Sequence, residues 1–156
     1  MKPWVNELEY GNPTDNYLPY LEKGEFDFLT EELQKYAFPE NDSDATRDEM
    51  RELISFQNAP EQQDAEIMSR YLRYDSDGIN VYKEYCRNTI GHNMDEDIDK
   101  VIEDAKYVIA KLKFRYQRPR PFQLARFYKA RLFPYASTTA MSPSYPSGHT
   151  IQAYVL

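Results

Sequence analysis

Three observations predict that this chain folds as a single all-α domain. Apolar residues recur every three or four positions in successive segments between residues 26 and 112, which is the spacing of amphipathic helices. No segment shows the sustained alternation of apolar and polar residues that is typical of a half-buried strand. The length of 156 residues suits one domain with a sizeable core. We therefore expect a helical bundle.

The N-terminal segment is expected to form an irregular arm. Residues 1–24 are rich in Pro, Tyr, Asn and Gly, as in Gly11-Asn12-Pro13, and this composition disfavours regular elements. Its aromatic side chains are expected to wrap around the body of the protein. The predicted organisation is thus an extended arm over residues 1–24 and a helical domain over residues 25–156.

Four helices are expected between the arm and residue 91. The first covers residues 26–36 and the second covers residues 44–58. The third begins at Pro60, which is a favoured first residue of a helix, and ends near the acidic tetrapeptide at residues 75–78. We interpret that tetrapeptide as a turn or a helix cap. The fourth helix comes after it and ends near Gly91.

The strongest helical pattern comes next. Asp95 is a suitable N-cap residue, and the helix is expected to end near Lys113. Six apolar side chains fall on one face through four turns: Ile98, Val101, Ile102, Ala105, Ile109 and Leu112. Residues 117–146 are expected to form loops, because Pro119 and Pro121 cannot continue the helix.

Composition excludes several classes of protein. Mean hydropathy is -0.80 and no apolar stretch approaches twenty residues, so no membrane span is expected. The single cysteine, Cys86, excludes an internal disulfide framework. The N-terminus lacks the pattern of a signal peptide, which makes a soluble, cytoplasmic protein the default expectation and leaves the compartment unknown.

Charge is distributed unevenly along the chain. All 26 acidic residues lie within residues 1–104, whereas residues 105–156 carry nine Lys and Arg and no acid. The basic part contains two motifs, at residues 113–121 and 146–149, so it is expected to attract an anionic ligand. Neutralisation of the two parts across a packed interface is the alternative, and both effects can operate together.

The tetrapeptide Pro146-Ser147-Gly148-His149 predicts an anion site. A Pro-Ser-Gly turn that opens a helix directs backbone N–H groups and a serine hydroxyl at one point. His149 on the first turn then faces the anion. The alternative is an ordinary helix cap, with Ser147 at the N-cap and His149 exposed.

A basic run precedes this turn. Lys113 and Arg120 are separated by six residues. The lysine ammonium supplies a compact positive charge, and the planar guanidinium donates two hydrogen bonds at once, so both can bind one phosphoryl group. The same spacing occurs between Lys111 and Arg118. The register of Lys113 and Arg120 is preferred because Phe122 lies just after it and is placed to seal a pocket, although the sequence leaves both registers open.

Together these residues resemble the phosphatidic-acid phosphatase type 2 and vanadium haloperoxidase superfamily, and within it the soluble bacterial class A acid phosphatases. The family's first motif, lysine, six residues and Arg-Pro, is similar to residues 113–121, and its second, Pro-Ser-Gly-His, is matched in full at residues 146–149. The resemblance covers roughly residues 95–156. It implies a helical bundle of the acid phosphatase and haloperoxidase type and a phosphoric monoester hydrolase activity.

The resemblance also implies a role for each motif residue. Lys113 and Arg120 would bind phosphate oxygens, and Ser147 with the backbone N–H of Gly148 would complete the cradle. His149 would be the general acid that protonates the leaving alkoxide. The partner would be a small phosphorylated substrate, and a homo-oligomer is compatible with the sequence.

The family's third motif is absent from this sequence. That motif, Ser-Arg, five residues, His, three residues and Asp, supplies the histidine that forms a phosphohistidine and the aspartate that orients it. The sequence reaches Leu156 inside an apolar run without a helix cap, so we expect a C-terminally incomplete domain with little or no turnover. His92 does not replace the missing residue and is interpreted as a helix-end residue.

No metal is expected, because two histidines and one cysteine do not form a plausible ligand set. No cofactor is implied either, and vanadate would be bound only if the chain is a haloperoxidase relative. A nucleic-acid-binding module is the main rival function. It would use cations interleaved with rings between residues 115 and 131, although nucleic acid is the less favoured partner.

Overall fold

The computed structural model describes residues 5–22, 24, 26–59, 64–135 and 137–156. These residues contain α-helices and short helical turns and no strand, which confirms the all-α prediction. The α-helices are α1 (Asp27–Leu33), α2 (Asp44–Gln57), α3 (Ala65–Tyr85), α4 (Asp95–Tyr116), α5 (Pro121–Leu124) and α6 (Gly148–Val155). A π-turn, Cys86–Ile90, extends α3, and 3-10 turns cover Leu18–Leu21, Ala125–Tyr128 and Thr138–Ala140.

The predicted third and fourth helices meet in α3, where two helices run on from each other across a kink. The backbone of Asp77 leaves helical geometry at φ -134° and ψ 17°, and its carboxylate accepts a hydrogen bond from Asn80 Nδ2 at 2.6 Å. The predicted break within the acidic tetrapeptide is therefore present, as a kink and not as a loop between two separate helices. Pro60 lies outside the described residues, and Asp64 caps α3 by accepting from the backbone of Ile67.

Helix α4 is the central element of the fold. Its N-cap is Met94, not Asp95, and Asn93 Oδ1 accepts from the backbone N–H of Asp95. The helix runs three residues beyond the predicted end, to Tyr116. One face is buried, comprising Ile98, Ile102, Ala105, Val108, Ile109, Ala110, Leu112 and Lys113. Helices α1 and α6 and the turn Leu18–Leu21 all pack on α4, so it forms the floor beneath the C-terminal loops.

The described part of the arm packs against the body. Val5 is fully buried in a cluster with Met50 and Leu124. Tyr17 contacts the ring of Phe114 edge-on, with ring centroids 5.3 Å apart. Residues 1–4, 23 and 25 lie outside the described residues, and the division into an arm and a domain stays a prediction. Across the described ranges, no helix is both long and apolar enough to traverse a lipid bilayer.

Candidate functional site

A cavity of about 890 Å³ opens where α6 begins above the end of α4. All five residues predicted from the motifs line it: Lys113, Arg120, Ser147, Gly148 and His149. They come from the last turn of α4, the residue before α5 and the start of α6. Packing of three separate segments therefore brings the two motifs to one place.

Lys113 lies at the floor of the cavity and is only 5% exposed. Its ammonium donates to the carbonyl of Pro143. Burial lowers the pKa of Lys113 from 10.5 to about 8, and the charge of Arg120 acts in the same direction. No carboxylate among the described residues pairs with it. The result is a buried cation whose charge an anion in the cavity would stabilise.

Arg120 is half-buried at the N-cap of α5. Its Nε donates to the carbonyl of Ser142 at 2.7 Å, so Arg120 and Lys113 both hold the loop that leads into α6. Burial lowers the pKa of the guanidinium, and the nearby Tyr10 and Asp75 oppose that shift. Within the ranges that the structure describes, its remaining N–H groups have no protein acceptor. Those donors are available to a ligand in the cavity.

Ser147 and Gly148 form the entrance of α6. The Ser147 hydroxyl caps the helix by accepting from the backbone N–H of Thr150 at 3.3 Å. Ser147 is thus an N-cap, as the helix-cap alternative predicts, and its own proton remains to be donated. A side chain on Gly148 would lie 3.6 Å from Ile109 and 4.0 Å from Lys113, which places the helix start directly above the buried lysine.

His149 is half-exposed and faces a carboxylate that the sequence did not reveal. Its Nε2 lies 3.1 Å from the carbonyl oxygen of Asp75 and 3.9 Å from the Asp75 carboxylate. A carbonyl only accepts, so this contact requires the proton on Nε2. The Asp75 carboxylate is 12% exposed and also accepts from the hydroxyls of Ser137 and Thr139.

Asp75 is the functional candidate that sequence reasoning missed. The sequence assigns it to a turn, because Asp75-Ser76-Asp77-Gly78 matches no ligand-binding spacing. It lies on α3, far in sequence from both motifs, and only the packing of α3 against the 3-10 turn Thr138–Ala140 brings it to the cavity. No signal in one sequence reports such a contact. Asp75 adds a negative charge to a pocket that otherwise carries cations.

The structure separates the two possible registers of the basic run. Lys111 forms an ion pair with Asp27, and Arg118 pairs with Glu49 at 2.7 Å and lies over the ring of Phe38. Neither Lys111 nor Arg118 lines the cavity, whereas the residues of the other register and Phe122 do. These pairs also show that part of the basic segment is neutralised by the acidic part of the chain.

Other candidates for chemistry lie away from the cavity. Cys86 is 1% exposed and packs with Ile98 and Ile102. His92 is exposed in the loop before α4. In the part of the chain that the structure describes, no three His, Cys, Asp or Glu side chains group closely enough to hold a metal ion. The expectation of a site without a metal stays a prediction.

Comparison with known proteins identifies no relative: no protein-family model, curated protein or solved structure matches this chain.

Proposed function

We propose that the cavity binds the phosphoryl group of a small phosphomonoester, as part of an acid-phosphatase-like phosphoric monoester hydrolase. One observation carries the proposal: two cations without carboxylate partners, a serine hydroxyl, a helix N-terminus and an imidazole line the same cavity in the described part of the chain. Several hydrogen-bond donors that converge on one cavity suit the binding of a tetrahedral oxyanion. The helical bundle of the acid phosphatase and haloperoxidase type belongs to the same proposal.

Each residue has a role that its chemistry supports. Lys113 and Arg120 neutralise the phosphoryl oxygens in a partly buried setting, where charge interactions are stronger than in water. The hydroxyl of Ser147 and the first N–H groups of α6 add directional donors and the positive end of the helix dipole. His149 would be the general acid: its Nε2 proton, which the structure shows donated to the carbonyl oxygen of Asp75, would turn from that acceptor to a leaving alkoxide.

The phosphohistidine step needs a second histidine near phosphorus. Residues 1–156 contain only one other histidine, His92, which does not line the cavity. We therefore assign to these residues the binding of the phosphoryl group and the protonation of the leaving group. The covalent step of a hydrolase lies outside what they perform.

Ligand-dependent stability tests the proposal. Inorganic phosphate and vanadate are expected to raise the Tm of the wild-type protein, since a ligand that binds only the folded state stabilises it. Arg120→Ala should lose most of this shift. Arg118→Ala is the matched control, because Arg118 is also followed by a proline, is paired with Glu49 and does not line the cavity. Equal shifts in both variants would contradict the proposal.

Nucleic-acid binding remains the second candidate, and the same variants separate it. Several residues of the basic aromatic segment have internal partners: the hydroxyl of Tyr116 donates to the carbonyl of Tyr36, that of Tyr128 donates to Asn41, and Arg118 is paired. These contacts favour the pocket over a continuous strand-binding surface. Tight binding of single-stranded DNA that falls steeply with salt and survives His149→Ala would favour the rival.

A further inference from the structure

We propose that the cavity selects phosphomonoesters of aromatic alcohols, in which one ring leads directly from the phosphoryl group. This inference rests on the proposed function, because it concerns the part of the same cavity that phosphate would leave empty. Cavities of about 300–1,000 Å³ hold whole drug-sized molecules. At about 890 Å³, this one has room for a substantial leaving group beside the phosphoryl oxygens.

Exposed aromatic side chains form part of the cavity lining, called here the aromatic wall. Five rings make up this wall, from α2, α3, α5 and the loop before the 3-10 turn Thr138–Ala140: Phe56, Tyr71, Phe122, Phe133 and Tyr135. Each is at least 41% exposed, and Phe133 reaches 71%. Large apolar side chains gathered around one opening indicate a binding surface, since scattered exposed rings would not share a cavity.

Tyr71 joins this wall to the anion site. It lies one helical turn before Asp75 on α3, and its ring centroid is 5.7 Å from that of Tyr135. Burial raises the pKa of Tyr71, the charges of Asp75 and Tyr135 raise it further, and Arg120 lowers it. Tyr71 therefore belongs to the rings that line the cavity and also feels the charge of the Arg120 guanidinium, which lines the same cavity.

Hydrogen bonds fix the wall in place. Gln57 at the end of α2 donates to the carbonyl of Arg131 at 3.2 Å and accepts from the backbone N–H of Phe133 at 2.7 Å. Beyond Tyr135, Ser137 and Thr139 bind the carboxylate of Asp75. The loop with two of the rings is thus held at both ends, which lowers the ordering cost of binding a flat ligand.

The remaining lining disfavours leaving groups with further phosphates. Among the described lining residues, Lys106 is the one lysine or arginine besides Lys113 and Arg120. It pairs with Glu103 at 2.8 Å and lies over the ring of Tyr20. A second phosphate group would have to break that pair. One phosphoryl group and one ring therefore match the two chemistries that the cavity presents.

Calorimetric titration with four compounds tests this inference: methyl phosphate, phenyl phosphate, hexyl phosphate and glycerol 1-phosphate. All four carry the same phosphoryl group and differ in the group attached to the ester oxygen. Burial of a phenyl group is expected to make phenyl phosphate bind about tenfold to a hundredfold more tightly than methyl phosphate. Hexyl phosphate should exceed the affinity of methyl phosphate by a smaller factor, because its chain cannot make edge contacts with the rings. Glycerol 1-phosphate should bind no more tightly than methyl phosphate.

Variants assign the preference to the wall. Phe56→Ala and Phe133→Ala should each reduce the ratio of phenyl to methyl phosphate affinity by about threefold to tenfold, because both rings line the cavity. Both should leave methyl phosphate affinity unchanged, which also shows that the variants fold. Tyr154→Ala is the control, since this ring is 88% exposed on α6 and does not line the cavity.

The outcomes separate this inference from the proposed function. Failure of methyl phosphate to bind would overturn the proposed function and the inference with it. Binding of methyl phosphate with no advantage for phenyl phosphate would overturn the inference alone. Equal or tighter binding of hexyl phosphate would also overturn it, because an apolar chain and not a ring would then be the preferred group.

Discussion

Lys113 connects stability with binding at the scale of one residue. Its ammonium is buried beside another cation, and the fold compensates with one carbonyl, that of Pro143. The cost of this burial is visible in a pKa near 8. A dianion in the cavity would remove much of that cost. Lys113 thus lowers the stability of the protein without a ligand, and its buried charge is the one that a bound phosphate would stabilise most.

Lys113→Met should make the empty protein more stable at pH 7 while abolishing most phosphate binding. The wild-type lysine titrates near pH 8 when folded and near 10.5 when unfolded. The unfolded chain therefore binds more protons between these values, and wild-type stability rises with pH across that window. The difference of about 2.5 pKa units corresponds to roughly 3 kcal/mol.

Urea unfolding of both proteins from pH 7 to 10.5 measures this effect. The free energy of unfolding of the wild type should rise relative to that of Lys113→Met as pH increases through 8. Lys100→Met is the control, because Lys100 is exposed on the same helix and should show no such trend. A flat difference for Lys113→Met would mean that the lysine is not desolvated.

Asp75→Asn should bind inorganic phosphate several-fold more tightly than the wild type at pH 7. The carboxylate lies 3.9 Å from the imidazole of His149, so it repels an anion in the same cavity. Asparagine keeps the shape and a partner for the hydroxyls of Ser137 and Thr139. Isothermal titration gives the affinity, with Asp77→Asn as the control for loss of one charge outside the cavity. Weaker phosphate binding by Asp75→Asn would contradict this expectation. It would mean that the contact between Asp75 and His149 supports phosphate binding more than the negative charge of Asp75 opposes it.

Helix α6 serves two purposes at the scale of one element. Its N-cap serine satisfies the backbone N–H of Thr150, and its first turn roofs the buried lysine. The helix-cap alternative from the sequence and the anion-site prediction are therefore compatible, because a capping hydroxyl keeps its own proton. What distinguishes α6 from other capped helices is the pair of cations below it.

Two serine caps in this chain allow a matched test. Ser147→Ala and Ser43→Ala each remove an N-cap, since Ser43 accepts from Thr46 at the start of α2. Both should lower the free energy of unfolding by about 1 kcal/mol. Only Ser147→Ala should weaken phosphate binding, by about tenfold. Equal phosphate affinities in the two variants would reduce Ser147 to a structural cap.

At the scale of the whole molecule, ion pairs join the acidic and basic parts of the chain. Asp27 on α1 pairs with Lys111, and Glu49 on α2 pairs with Arg118. These pairs neutralise one register of the basic run. The other register, Lys113 and Arg120, is left facing the cavity, and Asp75 is the one acid among the described residues that lines it. Partial neutralisation and anion attraction thus occur together, as the charge distribution allowed.

A polypeptide of residues 1–156 should bind phosphate and yet hydrolyse p-nitrophenyl phosphate at or near the background rate. The reason is that His149 is the one histidine among the described residues that line the cavity. If it is the acid, as proposed, no imidazole remains there to attack phosphorus. Release of p-nitrophenol at mildly acidic to neutral pH measures turnover. Robust hydrolysis that is lost in Arg120→Ala would show that another group in this cavity acts as the nucleophile.

The sequence predicted the local features of this fold well. Apolar spacing located α2 and α4 within a few residues of their observed bounds, because amphipathic helices must bury one face. It also located the break between two helices at Asp75-Ser76-Asp77-Gly78, although it did not predict that the two helices run on from each other across a kink in α3. It failed at shorter elements. It missed α5, whose four residues are too few for a periodic pattern.

The sequence by itself determined the helical class, the cap at Ser147 and the residue types that a phosphate needs, since all of these depend on neighbours within a few positions. Only the tertiary structure decided which lysine and arginine face the cavity, that Asp75 lies beside His149, and that aromatic rings from separate segments line the same cavity. Those contacts join segments far apart in the chain. They depend on how the helices pack against each other, and the spacing of residues in one sequence does not predict that packing.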